Sequence, residues 1–542
     1  MPHLSRVRFQ RTVSNLSNEV RVTSSPLAHR RDGLEIFSGR HGRRFKRRRN
    51  WGQIIARALT VAVVITAVVG GFLLFRAITA PDVVHLRVLG AEGAPVAGAT
   101  ITSPSGAHAT TADGGMASLA FEPPAMLSVT APGYRPASYD VQAIPPSGPL
   151  SLQMEPNILQ GRVIDGAGIG LPGATVTLGA VTTTAGEFGS FEIVAAEPGT
   201  VIASKAAWEP TEKEWQGETG RLDIVLDPFV VKGIRVYSPV AGDDAQFAAL
   251  LRLADSTPVN AMVFDTKSES GQVEYDTEVP EAIAAGGVFV KYDVVDRLAQ
   301  AKAHGLYTIT RIVAFQDHYR SQYRPELALH TADGSVWLNN NGLGWMDLTN
   351  RDTWQYPIDL GIEACGLGFD EIQFDYARFP TDGDISTIVY SAGELDGAAR
   401  VSTVAAFLAE ARDQLHEAGC AVSADIFAIV LSVGDDQGLG QRAEELSWAV
   451  DAISPMIYPS HYSNGWLGLD NPNDHPAEVV GDALDSGMPR LDGGALMRPW
   501  LQGFSWSAEQ VQESILTAES SGSGWMLWNA VSQFEPAFIP DE

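Results

Sequence analysis

Cysteine is nearly absent from this sequence, since its 542 residues include only Cys365 and Cys420. No His, Cys, Asp and Glu group has the spacing of metal ligands, so we expect no metal. No Gly-x-Ser-x-Gly nucleophile elbow follows a predicted strand, which argues against a serine hydrolase of the α/β type. A glycine-rich phosphate-binding turn after an early strand is missing as well, and such a turn marks dinucleotide-binding folds. We therefore expect no cofactor.

Basic residues are also scarce over most of the chain. The whole sequence has 38 Lys and Arg against 65 Asp and Glu, a net charge of −27. Residues 1–57 are the exception, with 14 basic and 3 acidic residues, which leaves 24 basic and 62 acidic residues for the remainder. An acidic surface disfavours nucleic acid and other polyanions as partners. We expect the two parts to face different surroundings.

Only one long uncharged apolar run occurs, at residues 58–75, and it just reaches the length of a membrane-spanning helix. The arginine-rich segment 43–49 precedes it, and positively charged flanks stay in the cytoplasm. The sequence therefore predicts a basic, disordered cytoplasmic tail at 1–50 and a single-pass transmembrane helix at 54–76. Everything after about residue 80 is predicted to lie outside the cell membrane. A cleaved signal peptide is the alternative, although the apolar run is longer than a usual signal core.

An internal repeat follows, with copies at residues 83–154 and 157–228. Both copies contain short alternating strands separated by Gly and Pro turns, a pattern that predicts two small all-β sandwich domains. The first copy has the turn Gly93–Ile101, and the second has Gly170–Val176 followed by Thr184–Phe191. On these elements the second copy resembles a carboxypeptidase regulatory-like domain. This resemblance implies a stalk or spacer.

Residues 230–535 alternate strand and helix patterns, which is the arrangement of a (β/α)8 TIM barrel. A doubly wound open sheet is the competing topology. The eight predicted strands are 232–237, 260–267, 307–315, 369–375, 421–430, 452–458, 497–504 and 524–529. The helical patterns include 244–255, 294–304, 400–418, 442–450 and 508–520.

The fourth predicted strand is unusual because polar residues alternate with apolar ones. Glu371, Gln373 and Asp375 share one face, which suggests that this strand points polar groups into a barrel lumen. The stretch Phe369–Pro380, together with Lys232–Tyr237 and Ala261–Lys267, resembles an uncharacterised glycoside-hydrolase-like barrel family, domain of unknown function 4015. The resemblance covers about residues 230–535 and implies a glycosidase.

Working residues of such barrels lie at the carboxyl ends of the strands. We assign Asp375 as nucleophile or charge stabiliser and Asp425, on the next strand, as general acid/base, since glycosidic hydrolysis takes two carboxyl groups. Asp265, Glu269 and Asp317, on the loops after strands 2 and 3, are reserve carboxylates. Arg378 is expected to pair with Asp375, either to keep it ionised or as a structural ion pair. The predicted substrate-binding residues are Asp265, Lys267, Arg311, Arg378, Tyr458, His461, Gln502, Trp528 and Asn529.

Two functions from different classes fit these residues. The first is a membrane-anchored extracytoplasmic glycosidase that cleaves a polysaccharide or cell-surface glycan. The second is a catalytically silent barrel that binds glycans or cell-wall components.

Cys365 and Cys420 precede neighbouring predicted strands, so a disulfide between them is possible outside the cell.

Overall fold

A computed structural model describes residues 51–78, 82–491 and 494–540, so the predicted tail at 1–50 lies outside the described residues. The chain divides into two units, Met1–Ala80 and Pro81–Glu542. The described part of the first unit is one helix, Trp51–Ile78. Its segment Ile55–Leu74 is long and apolar enough to cross a membrane, and the predicted span 54–76 lies within the helix.

Two all-β segments begin the second unit, and we call them the first and second β units. The strands of the first are Val83–Leu89, Thr100–Thr102, His108–Thr110, Met116–Ala120, Ala125–Thr130, Ala137–Val141 and Leu150–Gln153. The strands of the second are Ile158–Ile164, Thr175–Leu178, Val181–Thr184, Ser190–Val194, Gly199–Ser204, Thr211–Trp215 and Arg221–Val225.

The two β units have the same strand order, as expected for a repeat. In each, the first strand pairs with the fourth and the seventh, and the other four strands form a second sheet in the order three, two, five, six. Alternate side chains of these strands are buried, for example Leu86 and Val88 in the first unit and Leu159 and Val163 in the second. Each unit therefore has its own apolar core.

Eight parallel strand positions form a closed barrel, which confirms the predicted barrel. Barrel strands 1 to 8 are Lys232–Val236, Ala261–Lys267, Tyr307–Val313, Glu371–Asp375, Ala421–Phe427, Ala452–Ile457, Leu496–Met497 with Trp500–Gln502, and Trp525–Trp528. Each strand pairs with its sequence neighbours, and strand 8 pairs with strand 1. The barrel has no open edge, and the carboxyl ends of all its strands meet at one rim.

Strand 7 is broken, unlike the continuous strand predicted at 497–504. Its first piece pairs with strand 6 alone, whereas Trp500–Gln502 pairs with strands 6 and 8. Arg498 and Pro499 separate the two pieces. Proline has no N–H group to donate to the ladder, so the strand is interrupted there.

The strand alternation separates a lumen from an outer core. Ile372 and Phe374 of strand 4 face the layer between barrel and helices. Glu371, on the opposite face, reaches across the lumen to Arg498, with Arg498 Nη1 2.8 Å from Glu371 Oε2. Both side chains are almost fully buried. The polar face of strand 4 therefore does point into the lumen.

Helices and short antiparallel pieces surround the barrel. The helices are Ser238–Ala241, Asp244–Asp255, Pro280–Ala284, Val294–Ala303, His318–Tyr323, Gln355–Leu367, Gly397–Ala418, Ile429–Ser432, Ala443–Leu446, Pro476–Gly487 and Ala508–Ser520. The strands His330–Thr331 and Ile388–Val389 pair outside the barrel.

Local sequence signals define several helix ends, such as the capping box between Ser507 and Gln510 and the left-handed Gly368 after Leu367. The helix predicted at 442–450 is only one turn, Ala443–Leu446.

A disulfide joins Cys365 and Cys420, whose Cα atoms are 5.9 Å apart. Cys365 lies in the helix before strand 4, and Cys420 directly precedes strand 5. The bond therefore lies at the amino ends of the strands, away from the rim where strands 4 and 5 end.

Candidate active site

A cavity of about 600 Å³ opens at the carboxyl ends of the barrel strands, and we call it the rim cavity. Its volume is within the range of sites that hold small molecules. Four charged side chains line it: Glu269, Arg311, Asp375 and Arg378. Six aromatic side chains also line it: Tyr376, Phe427, Tyr458, Tyr462, Trp466 and Trp528.

Asp375 ends strand 4 and is held by three donors. Arg311 Nε and Nη2 donate to its Oδ2 over 3.0 and 2.5 Å, and the backbone N–H of Tyr376 donates to its Oδ1 over 2.6 Å. Donors of this kind bind the ionised carboxylate. Tyr376 has a φ of 54°, so the chain turns sharply right after the carboxylate. Asp375 therefore presents a fixed anion to the cavity.

Glu269 follows strand 2 and is the second carboxylate on the cavity wall. Arg311 Nη2 donates to its Oε1 over 2.7 Å, and its side chain is 39% exposed. Partial burial favours the neutral form, but the charges of Arg311 and Arg235 together with hydrogen bonds to the carboxylate outweigh burial and lower the pKa of Glu269 to about 2. The nearest oxygens of Glu269 and Asp375 are at most about 5 Å apart, the limit set by bonds of 2.7 and 2.5 Å to one nitrogen.

Arg311 is the centre of a buried charge network. Its Nη1 lies 3.2 Å from Oδ1 of Asp265, and Arg235 Nη2 lies 2.5 Å from Oδ2 of the same carboxylate. Burial opposes the charge of Arg311, but the carboxylates around it outweigh burial and raise its pKa well above the usual value. The guanidinium therefore binds both cavity carboxylates and favours the ionised form of Glu269.

Asp425 is buried beneath the cavity and does not line it. Trp500 Nε1 donates to its Oδ1 over 2.8 Å, and its Oδ2 is 3.8 Å from Arg311 Nε. Burial, and then the charge of Asp375, raises the pKa of Asp425 well above its usual range. Phe427, two residues later on the same strand face, lines the cavity instead.

Comparison with known proteins identifies the barrel. Residues 233–534, more than half of the chain, match the family model described as "Putative glycosyl hydrolase domain". The chain belongs to this glycosyl hydrolase family. No match was found among curated proteins.

Solved structures similar to this family member include glycoside hydrolase domains. The domain of PgaB (BpsB) from Bordetella bronchiseptica is 12% identical, with 56% of this chain and 94% of that chain covered and a TM-score of 0.42. A PelA variant domain from Pseudomonas aeruginosa is 11% identical over 56% and 96%, with a TM-score of 0.35. A hypothetical protein from Ruminiclostridium thermocellum is 34% identical over 35% and 96%, with a TM-score of 0.33.

The glycosyl hydrolase domain brings part of the predicted site residues together at the cavity. Five predicted binding or catalytic residues line it besides Arg378: Asp375, Arg311, Tyr458, His461 and Trp528. Burial lowers the pKa of His461, which favours its neutral form. Trp528 also lies against cations, with its ring 4.0 Å from the Arg235 guanidinium and 4.9 Å from that of Arg311.

Other predicted binding residues are buried structural groups away from the cavity. Lys267 is paired with Asp317 at 2.9 Å, and both are almost fully buried. Gln502 donates to Asn473 and to the carbonyl of Phe504. The polar groups of Lys267 and Gln502 bind other groups of the protein, so these side chains do not face a ligand.

Two further predicted residues hold the rim together. Asn529 donates to the carbonyl of Gly503, and Asp265 is enclosed by Arg235 and Arg311. The expected ion pair between Arg378 and Asp375 is not formed in the described residues, because Arg311 takes that place.

Most of the aromatic wall of the rim cavity was not predicted from the sequence. Phe427, Tyr462 and Trp466 carry no motif, and they reach the cavity only through the strand 5 end and the loop after strand 6. Tyr376 was within the strand 4 motif but was not singled out. A search for aromatic residues near the ends of all eight strands would have found them.

We expect Asp425→Asn to stabilise the protein at pH 7. The unfolded carboxyl ionises above a pH of about 4, whereas the buried one stays protonated, so the folded state binds an extra proton and loses stability as pH rises. Asparagine resembles the protonated acid and removes this cost. Thermal denaturation should show a gap between variant and wild type that shrinks from pH 7 to pH 4. A lower melting temperature for the variant at pH 7 would contradict a neutral Asp425.

Proposed function

We propose that the protein hydrolyses O-glycosidic bonds of a polysaccharide in the rim cavity. The observation that carries this proposal is the pair of carboxylates, Glu269 and Asp375, held on the wall of an aromatic cavity by Arg311. Hydrolysis of a glycosidic bond requires one carboxyl group to protonate the leaving oxygen and one carboxylate to attack or to activate water. The cavity offers both groups within a few ångströms.

Asp375 takes the role of nucleophile. Its three donors fix its position, and the short separation from Glu269 favours direct attack on the sugar over a water molecule between the two groups. This assignment agrees with the sequence analysis.

Glu269 replaces Asp425 as the proposed general acid/base, since Asp425 does not reach the cavity. Glu269 keeps one carboxylate oxygen free of Arg311, and its side chain is partly exposed. In the free protein it is ionised, with a pKa of about 2. A sugar that displaces water from Glu269 raises this pKa, because desolvation disfavours the charged form. Proton donation is therefore coupled to substrate binding.

The chemistry of the walls suits a sugar. Aromatic rings stack on pyranose faces, and polar groups bind hydroxyls. Tyr458 is 6% exposed, and its hydroxyl has no hydrogen-bond partner in the described residues. The Tyr462 hydroxyl and Trp466 Nε1 also lack partners there. Buried polar atoms without partners are uncommon, so these three groups support a hydroxyl-rich ligand.

The proposal also assigns roles to the apolar helix, as a membrane anchor, and to the two β units, as spacers. The apolar helix Trp51–Ile78 supports a single-pass anchor, with the basic tail on the cytoplasmic side and the barrel outside the cell membrane. The first and second β units, as sandwich domains of the carboxypeptidase regulatory-like type, separate the barrel from the bilayer. A cell-surface or environmental glycan is the proposed substrate.

The full chain should be assayed on a panel of polysaccharides for new reducing ends. Wild type is expected to cleave at least one of them, and Glu269→Gln is expected to lose about 10²-fold in rate because it cannot donate a proton. Glu278→Gln is the matched control, since Glu278 is an exposed glutamate of the same loop. Equal rates for wild type and Glu269→Gln would remove Glu269 from the mechanism.

A silent glycan-binding barrel is the second candidate, and one observation favours it. The low pKa of Glu269 leaves this proposed acid/base ionised, and so unable to donate a proton, in the free protein. Binding of a polysaccharide without cleavage by the wild type at any pH from 4 to 8 would select this second function.

A further inference from the structure

Arg378 differs from the other two arginines of the site. It lies three residues after Asp375, lines the rim cavity and is only 6% exposed. Arg235 and Arg311 are both matched by carboxylates. In the described ranges, no carboxylate lies within ion-pair distance of Arg378. Among the described residues, Arg378 is therefore the buried cation of the cavity that has no ion-pair partner.

The hydrogen bonds of Arg378 leave donors unused. Its Nη1 donates to the carbonyl of Phe379 and to the Thr381 hydroxyl, each over 3.1 Å. Its Nε is buried and has no acceptor in the part of the chain that the structure describes. A guanidinium has five N–H donors in a planar fork, which fits an oxyanion with two oxygens.

Aromatic rings surround the guanidinium. Its central carbon lies 4.5 Å from the ring centre of Tyr376, 4.8 Å from that of Phe427 and 5.3 Å from that of Trp345. These cation–π contacts hold the fork in place, but a ring face accepts no in-plane hydrogen bond. Removal of an ionised group from water is unfavourable unless it is paired and hydrogen-bonded. The aromatic cage thus positions Arg378, and no ion pair within the described part of the chain compensates its charge.

We infer that Arg378 binds a carboxylate, sulfate or phosphate group of the sugar in the rim cavity, so that the substrate is an acidic glycan. This inference rests on the proposed glycan-cleaving function. The acidic group supplies the two oxygens that the fork lacks, and the sugar ring lies against the aromatic wall.

The overall charge of the chain limits which acidic glycans fit. Residues after 57 carry a large acidic excess, and this repels a densely charged polymer. Repulsion between exposed charges is screened beyond about 10 Å at 0.1 M salt, whereas the contact with Arg378 is short and buried. A glycan with acidic groups on some of its residues is therefore preferred over a uniform polyanion.

The test uses three matched pairs of polysaccharides. They are a glycan with uronic acid at some of its residues and its carboxyl-reduced form, a partly sulfated glycan and its desulfated form, and a partly phosphorylated glycan and its dephosphorylated form. Retention in affinity electrophoresis is measured with the full chain carrying Asp375→Asn, so that no polymer is cleaved. We expect at least one acidic form to bind ten-fold tighter than its neutral form.

The same measurement with Arg378→Gln added should reduce this ratio to near one while the neutral form binds as before. Arg378→Lys should restore part of the ratio because it keeps the charge. Arg252→Gln removes one charge from an exposed arginine and should leave the ratio unchanged. The unchanged binding of the neutral form shows that the Arg378→Gln variant is folded.

Equal binding of acidic and neutral forms in all three pairs overturns the inference, and so does a ratio that Arg378→Gln leaves unchanged. Cleavage by the wild type tests the proposed function separately. If neutral forms are cleaved and acidic forms are not preferred, the proposed hydrolase function is supported and the anion-binding role of Arg378 is refuted. If acidic forms are preferred and no polymer is cleaved, the proposed hydrolase function is refuted, and Arg378 is the anion-binding residue of a glycan-binding barrel.

Discussion

Asp375→Asn is expected to reduce the rate of glycan cleavage by at least about 10³-fold while glycan binding is retained. The amide is isosteric with the carboxylate, so it still contacts the cavity, but it neither attacks the sugar nor stabilises positive charge on it. Arg311 then loses one of the three anions around it, which further weakens the field that the cavity presents to the reacting sugar. The effect should therefore appear in kcat more than in KM.

A charge-matched control separates this effect from a general loss of negative charge. Asp276 is an exposed aspartate after strand 2, and Asp276→Asn should cleave like wild type. In an Asp375→Ala variant, added formate is expected to restore part of the activity because the small anion occupies the place of the missing carboxylate. Wild-type rates from Asp375→Asn would refute the two-carboxylate mechanism.

Arg498→Met is expected to lower the free energy of unfolding by about 3–5 kcal/mol, the usual cost of breaking a buried ion pair from one side. Glu371 has no solvent exposure, and Arg498 Nη1 is its only ion-pair partner in the described residues. The Tyr307 hydroxyl donates to the same carboxylate over 3.1 Å, which does not neutralise it. The variant therefore leaves an anion in the barrel lumen. Chemical denaturation followed by tryptophan fluorescence measures the change.

The double variant Glu371→Gln with Arg498→Met should be clearly more stable than Arg498→Met alone. Glutamine keeps an oxygen that accepts from Tyr307 and carries no charge to leave unpaired. If the single and double variants unfold at the same denaturant concentration, the buried anion is not the cause of the loss. Cleavage is expected to change little in folded molecules, since the pair does not line the rim cavity.

Strand alternation was the most reliable guide to the fold. Glu371, Gln373 and Asp375 alternate with Ile372 and Phe374, and a lumen with an apolar outer layer is what such a strand requires. Strand 7 was less predictable, because whether Pro499 interrupts a strand depends on which neighbour would have received its hydrogen bond. The length of a helix was also hard to predict, since the amphipathic segment 442–450 forms only the one-turn helix Ala443–Leu446.

The candidate active site was less predictable from the sequence than the fold was. Asp425 ends no strand, since strand 5 continues to Phe427, and that ring lines the cavity in its place. Glu269 is in a loop without regular periodicity, so only folding reveals that it shares Arg311 with Asp375. Arg378 follows Asp375 closely in sequence, yet the left-handed turn at Tyr376 directs it to an aromatic cage.

The sequence alone determined the barrel, the apolar helix, the β repeat and the position of Asp375, because each depends on short-range periodicity or on residues within one strand. The tertiary structure alone decided which carboxylate lies beside Asp375, which arginine binds it and which arginine of the cavity forms no ion pair with the residues that the structure describes. These outcomes depend on distances of a few ångströms between side chains from different strands and loops. Such distances follow from barrel closure and loop packing, and no spacing along the chain encodes them.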